Sequence, residues 1–138
     1  MPDTVNGTVG ASPASKSKSV TFDGITYGSN EAAFQAQKCL DPKDRAAFAG
    51  LDPSASKRKG RRVNLRPDWE KVKVELMRQI VRAKFNQHPE LAAQLLATGD
   101  AYLEEGNDWG DRTWGTVGGK GRNLLGQILM EIREELKQ

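Results

Sequence analysis

The sequence contains only one histidine, His88, and one cysteine, Cys39. A single cysteine cannot form an internal disulfide, so a reducing compartment is the expected setting. A single histidine argues against a His-dependent catalytic triad and against the usual zinc clusters. Because His88 precedes a proline at a predicted helix boundary and Cys39 has no obvious activating neighbour, we expect structural roles for both.

Long hydrophobic runs are also missing. No apolar stretch is long enough to cross a membrane, and the N-terminus lacks the hydrophobic segment of a secretory signal, so we expect a cytoplasmic protein. The 138 residues are 37% hydrophobic and carry a formal net charge of +3, which indicates one domain with a modest core and a mild preference for anionic ligands.

Familiar catalytic motifs are absent as well. There is no zinc-ligand spacing, no Walker motif and no nucleophile elbow. Any catalysis therefore depends on carboxylates, lysines, amides and aromatic rings, and we expect neither a metal nor a cofactor.

Composition divides the chain into two regions. Residues 1–19, MPDTVNGTVGASPASKSKS, contain almost nothing to bury and predict a disordered tail before a domain spanning residues 20–138. The domain begins with two short strands around Asp23–Gly24, a strong hairpin signal. The rest is predicted to be mainly helical, which gives an α+β fold class: a mostly helical single domain with a small strand element.

The predicted helices follow caps and apolar periodicity. One begins at Ser29 or Asn30 and runs to about Leu40, and another begins at Asp41–Pro42. DPSASKRKGRRVNLR, residues 52–66, has the composition of a polar basic connection. Pro67 then opens the longest helix, whose apolar face is expected to comprise Trp69, Val72, Leu76, Ile80 and Val81.

Three further segments complete the prediction. His88–Pro89 ends the long helix, and PELAAQLLATG forms a short one closed by Gly99. AYLEE, residues 101–105, is a candidate strand. The last segment, LLGQILMEIREELKQ, predicts an amphipathic helix whose inward residues are Leu125, Ile128, Leu129, Ile132 and Leu136.

A polar stripe lies on the helix NEAAFQAQK. Glu31, Gln35 and Lys38 are spaced at i, i+4 and i+7 and therefore share one face, with Phe34 beside them as an anchor. Such a stripe is commonly a solvated face with ion pairs. The alternative, which requires the stripe to face the loop at residues 108–123, is one wall of a site, in which Gln35 contacts substrate and a desolvated Lys38 becomes nucleophilic.

DWGDRTWGTVGGKGRN, residues 108–123, combines features that surface loops rarely need together. Trp109 and Trp114 offer faces for a planar ring, and Glu104, Glu105, Asp108 and Asp111 offer carboxylates. Glycines 118, 119 and 121 lead into the last helix, so Gly119 and Lys120 are candidates for contact with a phosphate. A glycine-rich turn before a helix is also common without any ligand.

Taken in order, three stretches resemble the NADAR family, also called the YbiA-like or riboflavin-intermediate N-glycosidase family. They are DGITYGSNEAAFQAQK, RPDWEKVKVELMRQIVRAKFNQHPELAAQLLATGD and WGDRTWGTVGGKGRNLLGQILMEIRE. The resemblance spans residues 20–136 and implies a largely helical α+β fold. It also implies hydrolysis of an N-glycosidic bond on a phosphorylated ribose. The substrate is either a ribosylaminopyrimidine phosphate of the riboflavin pathway or ADP-ribose linked to guanine.

The resemblance also implies roles for individual residues. Lys38 would attack the anomeric carbon or protonate the leaving nitrogen, and Glu31, Glu105 and Asp111 would be the catalytic carboxylates. The implied substrate-binding residues are Trp69, Lys84, Trp114 and Asn123. One departure is visible, since ASPASKSKS, residues 11–19, stands where relatives have an aromatic–Ser–Asn–Phe segment that helps to build the site.

Two other classes of protein stay open at this point. The first is a non-catalytic module that binds nucleic acid or ADP-ribose, with phosphates clamped by the basic cluster Lys57, Arg58, Lys59, Arg61 and Arg62. A solvated basic loop is the commoner explanation of such a cluster. The second is a structural or interaction protein that keeps the fold without the activity.

Overall fold

A computed structural model of the chain describes residues 18–138, which form two compact units that meet in the sequence between Gln87 and His88. The predicted tail, residues 1–19, lies outside the described residues except for Lys18 and Ser19. The same holds for nearly all of the ASPASKSKS segment. The two units are described separately below.

The N-terminal unit begins with the predicted hairpin. Strands β1 (Val20–Phe22) and β2 (Ile25–Tyr27) pair antiparallel, with Val20 opposite Tyr27. Asp23 and Gly24 both have positive φ angles, 51° and 83°. This is the backbone that a type I′ turn requires, and it confirms the hairpin signal at Asp23–Gly24.

Helix α1 (Asn30–Ala36) follows, and its N-cap is Ser29, whose hydroxyl accepts a hydrogen bond from the Ala32 N–H. The helix is shorter than the prediction, which placed its end near Leu40. The N–H groups of Gln37, Lys38 and Cys39 bond three residues back instead of four. The Lys38 carbonyl accepts a hydrogen bond from the Arg66 N–H, so it does not take part in the hydrogen bonds of the helix.

Two short helices follow, and one of them was not predicted. Helix α2 (Pro42–Ala46) starts at Asp41, as expected, but α3 (Pro53–Gly60) occupies most of the segment predicted to be a connection. Asp52 caps α3 by accepting from the Ala55 N–H. Because only Ser56 and Gly60 of α3 are buried, the helix has no apolar stripe, and the prediction of a connection was wrong for that reason.

Helix α4 (Trp69–Gln87) is the longest element and packs against α1 and β1. Its buried face is centred slightly away from the predicted one, because Val72 and Leu76 are only half-buried. The buried residues of α4 are Trp69, Met77, Ile80, Val81, Lys84 and Phe85. Met77, and not Leu76, belongs to the buried face, because residues 77, 80, 81 and 84 lie on the same side of the helix.

The C-terminal unit contains α5 (Pro89–Ala97) and α6 (Leu124–Leu136), which pack together. Gly99 follows α5 with a φ of 64°, as a closing glycine should. On α6, Ile128, Leu129 and Ile132 are buried as predicted, whereas Leu125 and Leu136 are half-buried.

AYLEE does not form a strand. Residues 101–105 lie in irregular backbone, and the nearest pairing is an isolated bridge between Gly106 and Thr116. The segment has a buried residue, Leu103, but no neighbouring strand against which to form a ladder.

The α+β fold class is confirmed: between residues 18 and 138 the chain forms six helices and one two-stranded antiparallel sheet. In the same range, none of the helices has the length and apolar character needed to cross a lipid bilayer.

Candidate functional site

The predicted stripe on α1 is a connected polar cluster in the N-terminal unit. The Gln35 amide donates to Glu31 Oε2 over 2.7 Å, and Lys38 Nζ lies 3.5 Å from the Gly60 carbonyl oxygen. The Lys38 amine also lies 5.9 Å from the centre of the Trp69 ring. The cluster therefore joins α1, the end of α3 and the start of α4 around one amine.

Lys38 is half-buried, and its surroundings change its pKa. Burial lowers the pKa of the amine below its usual value, and the nearby charges of Arg61 and Lys73 lower it further, whereas Glu31 raises it. Burial thus removes part of the water around this amine, and a catalytic role for Lys38 stays a prediction. A lysine in this environment is closer to the neutral, nucleophilic form at neutral pH than a surface lysine is.

Gln35 and Gly60 fit together so tightly that a larger residue at position 60 would displace the Gln35 side chain. A Cβ on Gly60 would lie 2.0 Å from Gln35 Oε1. The same oxygen is buried and has no hydrogen-bond partner among the described residues. Sequence reasoning missed Gly60, because a glycine in a basic polar segment carries no signal of what it packs against.

The ring of Trp69 packs against the Lys38 amine. It is 6% exposed, its ring centre lies 5.1 Å from that of Phe34, and Lys38 lies over it. The anchor role predicted for Phe34 is therefore confirmed. The contact that the structure gives to Trp69 is with the lysine, by a cation–π interaction.

Lys84, for which the family resemblance implies a substrate contact, makes a buried contact with the backbone. Its side chain is completely buried, and its amine donates to the Lys18 carbonyl oxygen. Burial lowers the pKa of Lys84 to about 8. The amine therefore has a backbone partner and no exposed surface, and direct substrate binding by Lys84 stays a prediction.

The basic cluster lies on and after the last turn of α3. Lys57, Arg58 and Lys59 belong to the helix, Arg61 is its C-cap, and Arg62 follows. Lys59 lies 5.5 Å from the centre of the Phe48 ring and borders a cleft of about 400 Å³. That cleft is lined by residues 39–41, 44, 47, 59 and 63–67, and so not by the Lys38 cluster.

The loop of the C-terminal unit is organised by two side chains. Asp111 Oδ1 accepts from the Thr113 and Trp114 N–H groups, at 3.0 and 2.9 Å. The Asn107 amide donates to the carbonyl oxygens of Asp111 and Thr116, and its Oδ1 accepts from the Asp111 N–H. Sequence reasoning did not identify Asn107. Asp111 is therefore at least a structural residue of the loop.

The glycines of this loop allow tight turns and close backbone packing. Gly118 and Gly119 have φ angles of 60° and 81° and connect Val117 to Lys120, whose backbone groups bond to each other. A Cβ on Gly115 would lie 2.0 Å from the Glu105 carbonyl oxygen. Turn geometry thus accounts for glycine at positions 118 and 119 without a ligand.

The start of α6 does not offer the row of free N–H groups that was expected for an anion. The N–H groups of residues 122, 123, 124 and 125 donate to the carbonyls of residues 112, 115, 113 and 114. These four donors are occupied by backbone carbonyls, and a phosphate contact at Gly119 stays a prediction. Lys120 is exposed and remains a candidate through its side chain alone.

Glu105, in the segment just before the loop, is the carboxyl group with the most perturbed pKa in the C-terminal unit. Its Oε2 atom is buried without a hydrogen-bond partner among the described residues. Burial, with a smaller contribution from the Asp111 charge, raises the pKa of Glu105 to about 8. The group is therefore largely protonated at neutral pH and can donate a proton.

The two tryptophans of the loop differ in exposure. Trp109 is 70% exposed, whereas Trp114 is half-buried beside the loop carboxylate Asp111. Asn123, another residue implied to bind substrate, is buried to 1% exposure and bonds to the segment before the loop.

His88 and Cys39 have the surroundings expected of structural residues. His88 is the N-cap of α5 without a side-chain capping bond, and its Nδ1 lies 3.7 Å from Glu90 Oε2. Cys39 is 4% exposed, and burial raises the pKa of its thiol. In residues 18–138, no group of three or more His, Cys, Asp or Glu side chains has the arrangement to hold a metal ion.

Comparison with known proteins identifies relatives over most of the chain. The NADAR domain model matches residues 8–137. The chain is 47% identical over 121 residues to the N-glycosidase YbiA of Escherichia coli strain K12, covering 85% of this chain and 75% of that protein. A riboflavin biosynthesis protein of Vibrio vulnificus is 44% identical over 124 residues, covering 87% of this chain and 34% of the relative.

A solved structure shows the same fold. The NMR structure of the E. coli protein YbiA matches with a TM-score of 0.78 and 46% identity, covering 88% of this chain and 74% of that one.

Proposed function

Because this chain belongs to the NADAR family, whose curated relatives include N-glycosidases, we propose that it hydrolyses the N-glycosidic bond of a phosphorylated ribose with Lys38 as the nucleophile. The observation that carries the proposal is the environment of the Lys38 amine. It is half-buried over the Trp69 ring, and its pKa is lowered by burial.

The reaction begins with neutral Lys38, whose nitrogen lone pair forms a bond to the anomeric carbon. The bond from that carbon to the base nitrogen breaks, its electron pair stays with the base, and the base takes up a proton. The attacking nitrogen then loses one proton. The ring oxygen gains one as the ribose opens, which leaves a protonated imine. Water adds to the imine carbon, the bond from that carbon to the lysine nitrogen breaks, and the sugar aldehyde, the neutral amine and one proton are released.

Glu31 and Gln35 support this role of Lys38. The Glu31 charge raises the pKa of the amine, while the hydrogen bond from Gln35 holds the Glu31 carboxylate in place. A carboxylate near the anomeric carbon also stabilises the positive charge that develops there.

Positive charge around Lys38 supports a phosphorylated substrate. Arg61 directly follows Gly60, whose carbonyl accepts from Lys38, and both Arg61 and Lys73 lie close enough to lower the pKa of the amine. Arginine binds phosphate through paired hydrogen bonds. We assign Arg61 as the first candidate for the phosphate of the substrate.

Glu105 has the surroundings of a proton donor. A carboxyl group with a pKa raised to about 8 carries a proton at neutral pH and can act as a general acid. The Asp111 charge contributes to this raised pKa, so the role proposed for Asp111 is to help keep Glu105 protonated.

Of the two substrate classes, a ribosylaminopyrimidine phosphate is the first choice. The support is the name of the Vibrio vulnificus relative, a riboflavin biosynthesis protein. ADP-ribose linked to guanine is the second choice. Release of the free base from each compound, measured by chromatography with the purified protein, distinguishes them. Equal inertness toward both would contradict the proposal.

Trapping tests the nucleophile directly. Borohydride added during turnover reduces the imine, and mass spectrometry is expected to find the added sugar phosphate on Lys38. Lys38→Arg keeps the charge, loses most of the turnover and gives no adduct. Lys71→Arg, on an exposed position of α4, is the matched control and behaves like the natural protein. Normal turnover of Lys38→Arg without any adduct would leave the carboxylates as the catalytic candidates.

A further inference from the structure

We infer that Asn123 is a positioning residue for Glu105 and not a substrate ligand. This inference rests on the proposed role of Glu105 as a proton donor. Asn123 ends the glycine-rich loop immediately before α6, whereas Glu105 belongs to the irregular segment that precedes the loop.

Every polar atom of the Asn123 side chain is directed at the segment that carries Glu105. Oδ1 accepts from the Glu105 N–H over 2.9 Å. Nδ2 donates to the Leu103 carbonyl oxygen over 2.8 Å and lies 3.2 Å from the Tyr102 hydroxyl. The side chain is 1% exposed, so its donors and its acceptor are engaged and no surface is left for a ligand.

The backbone around Asn123 is built for this contact. Asn123 has a φ of 52°, a left-handed conformation that asparagine tolerates better than most residues. A Cβ on Gly126 would lie 2.3 Å from both Asn123 Nδ2 and the Leu103 carbonyl oxygen. Position 126 must therefore be glycine for the asparagine to reach the segment before the loop.

Hydrogen bonds hold the Glu105 backbone on both sides of its side chain, at the N–H and at the carbonyl. The Glu105 N–H is held by Asn123, and the Glu105 carbonyl accepts from the Thr116 N–H over 2.9 Å. With the backbone held at both ends, the carboxyl group stays in its buried position, with Oε2 out of reach of any hydrogen-bond donor in the described residues. Release of the Asn123 contact lets the carboxyl group move toward water.

The first experiment uses the natural protein. A hydrogen bond from the Glu105 N–H to the Asn123 side-chain carbonyl gives a scalar coupling between the Glu105 ¹⁵N and the Asn123 ¹³Cγ in an NMR spectrum. Detection of that coupling is the expected result. Its absence from a spectrum that resolves the backbone couplings of α6 would overturn the inference.

The second experiment follows the carboxyl group of Glu105 by ¹³C NMR titration. In the natural protein it is expected to titrate near pH 8. Asn123→Gly keeps the left-handed backbone accessible and removes the side chain, so the midpoint is expected to move down toward the ordinary glutamate value. Gly126→Ala, which displaces the asparagine, is expected to act in the same direction. Asn86→Ala, on an exposed position of α4, is the matched control and leaves the midpoint unchanged.

Kinetics separate a positioning residue from a ligand. With Asn123→Gly, kcat is expected to fall by about tenfold or more while KM changes by less than about twofold, because general-acid catalysis is lost and binding is kept. A raised KM with unchanged kcat would overturn the inference in favour of substrate contact. An unmoved Glu105 titration in Asn123→Gly would overturn it as well.

Glu105→Gln, compared with Asn123→Gly, distinguishes the proton-donor role of Glu105 from the positioning role of Asn123. If Glu105→Gln retains full activity while Asn123→Gly still lowers the titration midpoint of Glu105, the proton-donor role fails and the positioning role stands. If Glu105→Gln is inactive and the midpoint is unmoved in Asn123→Gly, the proton donor stands and the positioning role fails.

Discussion

At the scale of single residues, Gly60 controls how closely α1 and α3 approach. We expect Gly60→Ala to destabilise the fold by about 1–3 kcal/mol, because the new methyl group would overlap Gln35 Oε1 at 2.0 Å. Alanine has the higher helix propensity, so a simple propensity argument gives the opposite sign. Urea unfolding followed by circular dichroism measures the difference.

Gly50→Ala is the matched control for this variant, because a Cβ at position 50 meets nothing within 4 Å. We expect its unfolding midpoint to stay close to that of the natural protein. An equal loss of stability in the two variants would show that the Gln35 contact is not the cause.

The charges around Lys38 predict opposite shifts of the pH–rate profile. If Lys38 acts as the free amine, kcat/KM rises with pH as the amine loses its proton. Glu31 raises the pKa of Lys38, and Lys73 lowers it. Glu31→Gln should therefore move this rise to lower pH, and Lys73→Gln should move it to higher pH. A shift of both profiles in the same direction, or of neither, would contradict the role of Lys38.

Single residues also show what sequence can and cannot predict about the site. The Glu31, Gln35 and Lys38 stripe was found because helical spacing alone places them on one face. The raised pKa of Glu105 was not visible, because it depends on burial and on the backbone that holds the segment. Lys84 and Asn123 were assigned to substrate binding, and their backbone partners were not visible, since a motif shows that a polar residue is used but not which group it bonds to.

At the scale of elements, α3 divides the basic cluster into residues with different surroundings. Arg61 lies next to the Lys38 cluster, whereas Arg62 borders a separate cleft of about 320 Å³. We expect Arg61→Gln to raise KM about tenfold with kcat little changed, because a charge-assisted hydrogen bond to phosphate contributes about 1.5–3 kcal/mol. Steady-state kinetics with the preferred substrate measure both constants.

Arg62→Gln is the control for this prediction, with the same change of charge one residue further along the chain. Its KM should change much less. Equal increases in KM for the two variants would indicate a diffuse electrostatic effect of the whole cluster, including Lys57, Arg58 and Lys59. A fall in kcat at constant KM would place Arg61 in the transition state instead.

Elements also differ in how well local sequence specifies them. The hairpin at Asp23–Gly24 and the start of α1 at Ser29 follow from turn and cap chemistry that involves only neighbouring residues. Helix α3 was missed because a capped polar helix lacks hydrophobic periodicity. AYLEE was predicted to be a strand, yet a strand needs a partner, and the described C-terminal residues form only isolated bridges, of which Gly106–Thr116 lies next to this segment.

At the scale of the whole molecule, Glu105 predicts how stability depends on pH. Its pKa in the folded chain, about 8, lies above the ordinary value of 4.5, so the folded state holds this proton more tightly than the unfolded state does. The resulting stability is fully present below the ordinary value and is lost as pH rises through the folded value. The loss proceeds at up to about 1.4 kcal/mol per pH unit.

Glu105→Gln removes this contribution. Across the same pH window, the free energy of unfolding of the variant is expected to fall less steeply than that of the natural protein, as measured by urea unfolding at several pH values. Glu135→Gln, on an exposed position of α6, should keep the natural slope. Parallel slopes for Glu105→Gln and the natural protein would show that the carboxyl group titrates normally.

The hydrogen bonds from α4 side chains to the backbone at residues 18 and 21 have a consequence for mutations at these positions. Gln87 donates to the Thr21 carbonyl and accepts from the Thr21 N–H, each over 2.8 Å, while Lys84 donates to the Lys18 carbonyl. Both α4 side chains recognise main chain alone, and main-chain groups are the same in nearly every amino acid. Substitutions at positions 18 and 21 therefore leave these three hydrogen bonds intact, proline at 21 excepted, whereas replacement of Lys84 or Gln87 removes them.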